Sequence, residues 1–181
     1  MVVPHFLFSD GKFLKQDKLL ISPNNRSFRY GDGFFETMKW WNGKIQLEQL
    51  HIERLFSTLD VLKFKPPAYF TSEYILNAIH TLVAKNQHHQ LARVRVTIYR
   101  GDGGIYDEQN HFPHLLIQTW SLNALNNRLN ENGLEIDIYA ASIKQADHFS
   151  LLKSNNYLGY AMAALWAKEH HLNDAILLNP Q

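Results

Sequence analysis

Apolar and polar residues alternate along several short segments of the chain, and a period of two residues is typical of a half-buried strand. Residues 4–22 contain two such segments on either side of Asp10-Gly11. Residues 34–47 contain a stronger signal, because an aromatic run reaches the two-residue turn Asn42-Gly43 before a second short strand. We therefore predict two hairpins near the start of the chain. Further strands are predicted at 93–99, 115–120, 134–141 and 175–178.

Apolar residues recur at helical spacing in the segments that follow the second hairpin. We predict a helix over 48–64, in which one stripe is buried while His51 and Arg54 lie on a different stripe. Thr71 is predicted to cap a second helix, which ends near Asn86. The predicted buried stripe of the first helix consists of Ile52, Leu55, Phe56, Leu59 and Leu62.

A change of composition divides the chain into two predicted parts. Residues 121–131 are rich in Asn, Leu and Arg without a sustained period, which favours a connection between a domain at 1–120 and a second at 121–181. The second part contains an alanine-rich helix predicted over 155–170. Its last strand runs directly into Asn179-Pro180-Gln181, which would leave a sheet edge uncovered. We therefore expect the natural polypeptide to be longer.

Composition and charge exclude several classes of protein. The 181 residues are 45% hydrophobic, with 18 Lys+Arg against 17 Asp+Glu, which predicts a globular protein and argues against a dedicated nucleic-acid binder. The absence of cysteine excludes disulfides, thiolate metal sites and a thiol nucleophile. We find neither a signal peptide nor an apolar run of membrane-spanning length, so we expect a cytoplasmic protein without a membrane partner.

Lys153 is the first candidate for a chemical role. An apolar segment delivers its amine to the predicted start of a helix, which Ser154 or Asn155 would cap. Apolar neighbours and the positive end of a helix dipole both favour a neutral amine, and a neutral lysine can form a Schiff base. A surface lysine before a helix is the commoner interpretation of such a residue.

Other polar residues offer weaker signals. Arg54, off the apolar stripe of its helix, could present its guanidinium to a phosphate, although most such arginines are only solvated. The glycine-rich loop 100–106 lacks the spacing of known phosphate-binding loops. Histidines occur as the adjacent pairs His88-His89 and His170-His171, whose side chains diverge on a helix. We therefore expect no metal site.

Taken as an ordered series, these pieces resemble the pyridoxal-phosphate enzymes of fold type IV. That family, class IV, comprises branched-chain and D-amino-acid aminotransferases and aminodeoxychorismate lyase. The resemblance covers nearly the whole chain. The matching segments, in order, are Tyr30-Gly31-Asp32-Gly33-Phe34-Phe35-Glu36-Thr37, His51-Ile52-Glu53-Arg54-Leu55, the strand end Arg100-Gly101, Lys153-Ser154-Asn155-Asn156-Tyr157-Leu158, and Asp174-Ala175-Ile176-Leu177-Leu178.

The resemblance implies an α+β fold. Its N-terminal domain would be a two-layer α/β sandwich, followed by the beginning of a β-rich second domain with helices. It also implies that Lys153 holds pyridoxal 5′-phosphate as a Schiff base and that Arg54 anchors the phosphate, with Tyr157 beside the cofactor ring. The residues implied to line the substrate pocket are Tyr30, Phe35, Arg100 and Tyr106.

One departure from the family concerns the cofactor ring. Family members continue past the Asp-Ala-Ile-Leu-Leu strand to a glutamate that pairs with the pyridine nitrogen, and residues 1–181 do not include that segment. Without that glutamate the ring would be a poorer electron sink, so we expect weak cofactor binding from a chain of this length.

The resemblance leaves three functions open. We favour an aminotransferase that acts on a branched-chain or D-amino acid. The alternatives are a lyase that converts aminodeoxychorismate to 4-aminobenzoate and pyruvate, and a noncatalytic member acting as a binding or oligomerisation domain. By analogy with the family we expect a homodimer.

Overall fold

A six-stranded antiparallel sheet forms the first layer of the protein. The computed structural model describes residues 5–88, 90–107, 110–123 and 127–180. The strand order is β2-β1-β6-β5-β3-β4, and each neighbouring pair is antiparallel. The strands are β1 (Phe6–Ser9), β2 (Lys12–Lys15), β3 (Gly33–Trp41), β4 (Lys44–Ile45), β5 (Leu91–Tyr99) and β6 (His114–Ser121).

Both hairpins predicted from the sequence are present. β1 pairs with β2 across Asp10-Gly11, and β3 pairs with β4 across Asn42-Gly43. Asn42 and Gly43 have φ values of 47° and 82°, the left-handed conformations that a two-residue hairpin turn requires. The local turn chemistry therefore specifies both connections.

Two helices cover one face of this sheet and form the second layer. They are α2 (Glu48–Val61), which packs on β3, and α3 (Ser72–Lys85), which packs on β1 and β6. The core lies between the layers, so this part of the chain is an α/β sandwich. Leu55 and Leu59 of the predicted α2 stripe are fully buried, whereas Ile52, Phe56 and Leu62 are only half-buried. The fully buried core residues between helices and sheet include Ile75, Ile79, Leu82, Val94, Val96, Ile98 and Ile117.

The N-cap predicted for α3 is confirmed, since the side chain of Thr71 accepts a hydrogen bond from the backbone N–H of Tyr74. Thr71→Ala removes that acceptor while keeping the helix sequence. We expect the free energy of unfolding to fall by about 1 kcal/mol, the usual cost of losing such a cap. Urea denaturation measures it. Ser72→Ala, one residue into the helix, serves as the control, and an equal loss in both variants would contradict the capping role.

A second, smaller sheet follows the first along the chain. Its strands β7 (Ile136–Ile143) and β8 (Asp174–Leu178) are parallel, and α4 (Leu158–Glu169) connects them and packs against both. The whole chain is therefore an α+β protein. The domain boundary predicted over 121–131 falls between β6 and β7, but residues 124–126 lie outside the described part of the chain, and the division stays a prediction.

Sequence patterns missed one helix and misplaced the start of another. The five-residue α1 (Arg26–Tyr30) is too short to show a period; Asn25 caps its first turn, and Gly31 ends it in the left-handed conformation. Helix α4 begins at Leu158 rather than at residue 155. Within the described residues, no helix combines the length and the apolar character that crossing a bilayer requires.

Candidate functional site

The segment 153–155 pairs with the open edge of β3 and thereby fixes the position of Lys153. The N–H of Phe35 donates to the carbonyl of Lys153 over 2.9 Å, and the N–H of Asn155 donates to the carbonyl of Gly33 over 2.9 Å. Phe34 and Ser154 face each other as an antiparallel bridge. The edge is open here because β4 pairs only with the Trp40-Trp41 end of β3. Lys153 is thus held by backbone bonds to a central element of the fold.

This pairing depends on the absence of a side chain at residue 33. A Cβ atom on Gly33 would lie 2.6 Å from the carbonyl oxygen of Ile98 and 2.7 Å from Nδ2 of Asn155. The same Asn155 amide donates to Oγ of Ser27 over 3.0 Å, which ties the segment to α1. Asn155 therefore anchors the lysine segment and does not cap α4, as we had predicted.

The amine of Lys153 lies in a partly desolvated position. Its Nζ is 4.7 Å from the ring centre of Phe35, which is itself buried. Burial is the largest cause that lowers the pKa of Lys153; Arg54 and Arg95 lower it further, and the carboxylate of Glu36 opposes them. The predicted contribution of a helix N-terminus is wrong, because α4 starts five positions later.

Arg54 is held by a buried carboxylate that sequence reasoning assigned no role. Oε1 of Glu36 accepts from Nε of Arg54 over 2.5 Å, and Oε2 accepts from Nη2 over 2.6 Å. Nδ1 of His51 lies 2.8 Å from the same Oε2. This paired geometry raises the pKa of Arg54. The signal in the sequence was the parity of Glu36 with Phe34 and Met38, which places it on the buried face of β3.

One open cavity brings three of the predicted site residues together. It has a volume of about 530 Å³ and is lined by Arg54, Lys153 and Tyr157, together with residues of β7 and α4 and the segment between them. The ring of Tyr157 contacts the edge of Phe35 at 5.3 Å and stacks on Tyr160 at 4.5 Å between ring centres. A guanidinium and an amine that both face one cavity can bind an anionic group and a carbonyl of the same small molecule.

The four residues predicted to bind substrate do not line this cavity. Phe35 is buried beneath its edge, in contact with Lys153 and Tyr157. Tyr30 is exposed at the end of α1, and Tyr106 is 94% exposed. Their substrate roles stay predictions, since no substrate is present to test them.

Arg100, the fourth of these residues, is buried in a network of its own. It pairs with Oδ1 of Asp32 at 2.5 Å, donates to the carbonyl of Asn110 over 2.7 Å and also to that of Leu62. Asp32 in turn pairs with Arg26 at 2.8 Å. The contacts of Arg100 in this structure thus fasten the loop after β5 to the end of α2 and to Asp32.

Arg95 is a further residue that sequence reasoning missed. Its guanidinium carbon lies 3.6 Å from the ring centre of Phe35, on the face of β5 opposite the helices. Burial, and then the neighbouring Arg93, lower the pKa of Arg95. Among the described residues no carboxylate forms a salt bridge with Arg95. A half-buried guanidinium without a carboxylate partner, beside Lys153, is suited to binding the carboxylate of a ligand.

Arg95→Gln should make the amine of Lys153 harder to deprotonate. A nearby cation disfavours the ammonium form, so its removal raises the pKa of Lys153. The pH dependence of the reaction of Lys153 with an amine-selective reagent, followed by peptide mass spectrometry, measures the change. Arg93→Gln is the control, because Arg93 lies over Trp120 on the same strand. An unchanged or lower pKa in Arg95→Gln would contradict the electrostatic role.

Metal chemistry finds no support in the described residues. In the parts of the chain that the structure describes, no group of three or more His, Asp or Glu side chains could hold a metal ion. The adjacent pair His170-His171 follows α4 directly, and His170 Nδ1 contacts the carbonyl of Trp166. His89 lies outside the described residues. The expected absence of a metal stays a prediction.

Comparison with known proteins relates the chain to a single family. The sequence model of the family described as "Amino-transferase class IV" matches residues 33–181. The matched range includes β3, Arg54, the loop after β5 and Lys153. It therefore contains the cavity and the residues that hold its two cationic groups.

Individual relatives have more than one described activity. A putative branched-chain-amino-acid aminotransferase of Methanocaldococcus jannaschii is 25% identical over 175 residues, 96% of this chain and 59% of that protein. An aminodeoxychorismate lyase of Vibrio harveyi is 27% identical over 159 residues, 87% of this chain and 56% of that protein. The chain thus spans less than two thirds of the curated relatives it matches.

Solved structures share the fold at lower sequence identity. A branched-chain aminotransferase of Thermoproteus uzoniensis, solved with norvaline, superposes with a TM-score of 0.81 at 22% identity. The match covers 98% of this chain and 60% of that one. Other matching branched-chain aminotransferases were solved with pyridoxamine 5′-phosphate and with a phosphopyridoxyl-glutamate conjugate. The described fold is therefore that of fold type IV pyridoxal-phosphate enzymes.

Proposed function

Since the chain belongs to the class IV aminotransferase family, we propose that it is a pyridoxal-phosphate-dependent aminotransferase that acts on a branched-chain or D-amino acid. The observation that carries this proposal is the shared cavity of Arg54 and Lys153. An amine whose pKa is lowered and a fixed guanidinium are the two groups that an aldehyde with a phosphate monoester requires. The residues present therefore fit this cofactor.

Each residue of the cavity has a distinct proposed role. Arg54 would bind the phosphate through donors that Glu36 leaves free, and Tyr157 would lie against the cofactor ring. When bound, pyridoxal 5′-phosphate supplies an electron sink that makes the proton next to the substrate amine easier to remove. Lys153 would hold the cofactor through its amine and, once freed by the substrate, take that proton on Nζ and return it. A lowered pKa suits this role, because more of the amine is neutral near neutral pH.

The substrate carboxylate is proposed to bind at Arg95. Its guanidinium lies on Phe35 beside Lys153 and carries no carboxylate from the described residues. The rings of Phe35 and Tyr157 would pack on an apolar substrate side chain. Tyr30, Arg100 and Tyr106 remain proposed contributors to the outer part of the pocket.

A lyase is the second candidate function. The relative from Vibrio harveyi is an aminodeoxychorismate lyase, and it is the more identical of the two curated relatives named above. A lyase would use the same lysine to release 4-aminobenzoate and pyruvate from aminodeoxychorismate. The carboxylate of that substrate would also suit Arg95. The two functions therefore share the proposed cofactor and differ in the substrate.

Product analysis distinguishes these functions. The purified protein is incubated with pyridoxal 5′-phosphate and, in parallel, with a branched-chain amino acid, a D-amino acid or aminodeoxychorismate, and the oxo acid or 4-aminobenzoate is quantified. Formation of an oxo acid from an amino acid supports the aminotransferase, and formation of 4-aminobenzoate supports the lyase. A protein that takes up no cofactor and forms no product would be a noncatalytic member of the family.

Two broader proposals follow from family membership. We propose a cytoplasmic protein, supported by the absence of cysteine. We propose a homodimer by analogy with the family, which light scattering of the purified protein tests. A mass equal to one chain over the whole concentration range would contradict the dimer.

A further inference from the structure

Glu36 is the most deeply buried carboxylate near the cavity. Its residue is 1% exposed, and such a charge is stable in a protein interior only when partners compensate for the lost water. Arg54 supplies two parallel hydrogen bonds, from Nε and Nη2, and His51 supplies a third contact at 2.8 Å. Both partners come from α2, one turn apart, whereas Glu36 lies on β3.

This geometry leaves one side of Arg54 available. The side chain of Arg54 is 51% exposed while that of Glu36 is 1% exposed, so the guanidinium separates the carboxylate from the cavity. In the described part of the chain, no protein group accepts a hydrogen bond from Nη1 of Arg54. Paired hydrogen bonds to a carboxylate fix the plane of a guanidinium, and a fixed plane reduces the rotational freedom that ligand binding would otherwise remove.

We propose that Glu36, supported by His51, is a positioning residue that orients the Arg54 guanidinium toward the phosphate of the cofactor. The proposal rests on the proposed function, since it concerns the same cavity. Glu36 itself does not touch the ligand, and it acts through Arg54. Its negative charge also acts on Lys153, whose pKa it raises against the effect of Arg54 and Arg95. Glu36 thus influences both ends of the proposed cofactor site.

The test compares two ligands that differ only in the phosphate. The affinities of the protein for pyridoxal 5′-phosphate and for pyridoxal are measured by spectrophotometric titration. We expect Glu36→Gln to weaken binding of the phosphate ester by roughly tenfold or more, as loss of an outer partner does at metal sites. Binding of pyridoxal should not change by that factor. Glu53→Gln is the matched control, because Glu53 is exposed on α2 and pairs with Gln49.

A double-variant cycle separates positioning from general damage. In a protein that already carries Arg54→Gln, Glu36→Gln should have no further effect on the preference for the phosphate ester. A structural role for Glu36 would lower both affinities together, independently of Arg54. Should Glu36→Gln fail to fold, Glu36→Asp keeps the charge, shortens the reach and should still reduce the preference for the phosphate ester.

The outcomes distinguish this inference from the proposed function. If the wild type binds the phosphate ester more tightly than pyridoxal and Glu36→Gln or Glu36→Asp loses that preference, the inference stands. If the wild type shows the preference and the Glu36 variants keep it, the inference is overturned and the proposed function is not. If the wild type binds neither compound, the proposed function fails, and the inference fails with it.

Discussion

Lys153→Ala is expected to reduce the rate of product formation by roughly 10³-fold or more, the range that loss of a catalytic nucleophile or base produces. The physical reason is that Nζ of Lys153 is the amine with a lowered pKa in the cavity that Arg54 also lines. The visible absorbance of the protein after addition of pyridoxal 5′-phosphate should be lost as well. Steady-state assays and absorbance spectra measure the two effects.

Lys168→Ala is the control for this substitution. Lys168 is exposed on α4 and does not line the cavity, so its loss should change neither the rate nor the spectrum. Circular dichroism of both variants shows whether the fold is kept. A folded Lys153→Ala protein that retained the wild-type rate would contradict the proposed role of the lysine.

Gly33→Ala is expected to destabilise the protein and to displace the lysine segment. The added methyl group would overlap the carbonyl oxygen of Ile98 and the amide of Asn155, at 2.6 and 2.7 Å. Because overpacking typically costs about 1–3 kcal/mol, we expect a loss of that size in the free energy of unfolding. Release of the segment should also return the pKa of Lys153 toward its ordinary value and weaken cofactor binding.

Gly43→Ala separates the two consequences. Gly43 has a positive φ of 82° but no atom within 4 Å of an added Cβ, so the substitution should lower stability without reaching Lys153. Urea denaturation and the pH dependence of Lys153 labelling are measured for both variants. Equal effects of both substitutions on the pKa of Lys153 would contradict the proposed link through Asn155.

Local sequence patterns predicted the elements whose shape is set by neighbouring residues. The turn Asn42-Gly43 and the cap Thr71 were found because turn and cap chemistry depends on a few consecutive positions. The same holds for the strand that contains Arg95, whose apolar and polar residues alternate without interruption. Lys153 and Arg54 were identified by local context and by the ordered resemblance to a family, and both line the cavity.

Contacts between distant parts of the chain could not be derived in this way. Nothing near Lys153 indicates that its carbonyl pairs with Phe35, because strand pairing of so large a sequence separation depends on the whole fold. The same limit explains why Asn155 was predicted to cap α4 and instead binds Ser27. The bond of Arg54 to Glu36 joins a helix to a strand, and the sequence offers only the parity of Glu36 as a sign of burial.

Arg100 illustrates how a residue in a family motif can have a structural environment of its own. Its position at the end of β5 is near a glycine-rich loop, which favoured a role in substrate binding. In the structure its donors are engaged by Asp32 and by the carbonyls of Asn110 and Leu62. A substrate would have to compete with these internal partners, which the sequence does not reveal.

The most direct test is to find which lysine holds the cofactor. The protein is treated with pyridoxal 5′-phosphate, reduced with borohydride and digested, and the peptides are analysed by mass spectrometry. We predict one phosphopyridoxyl group, on the peptide that contains Lys153, and a lower yield of that peptide in Arg54→Gln. A label on another lysine, or a label at Lys153 with the same yield in Arg54→Gln, would contradict a shared site for the amine and the guanidinium.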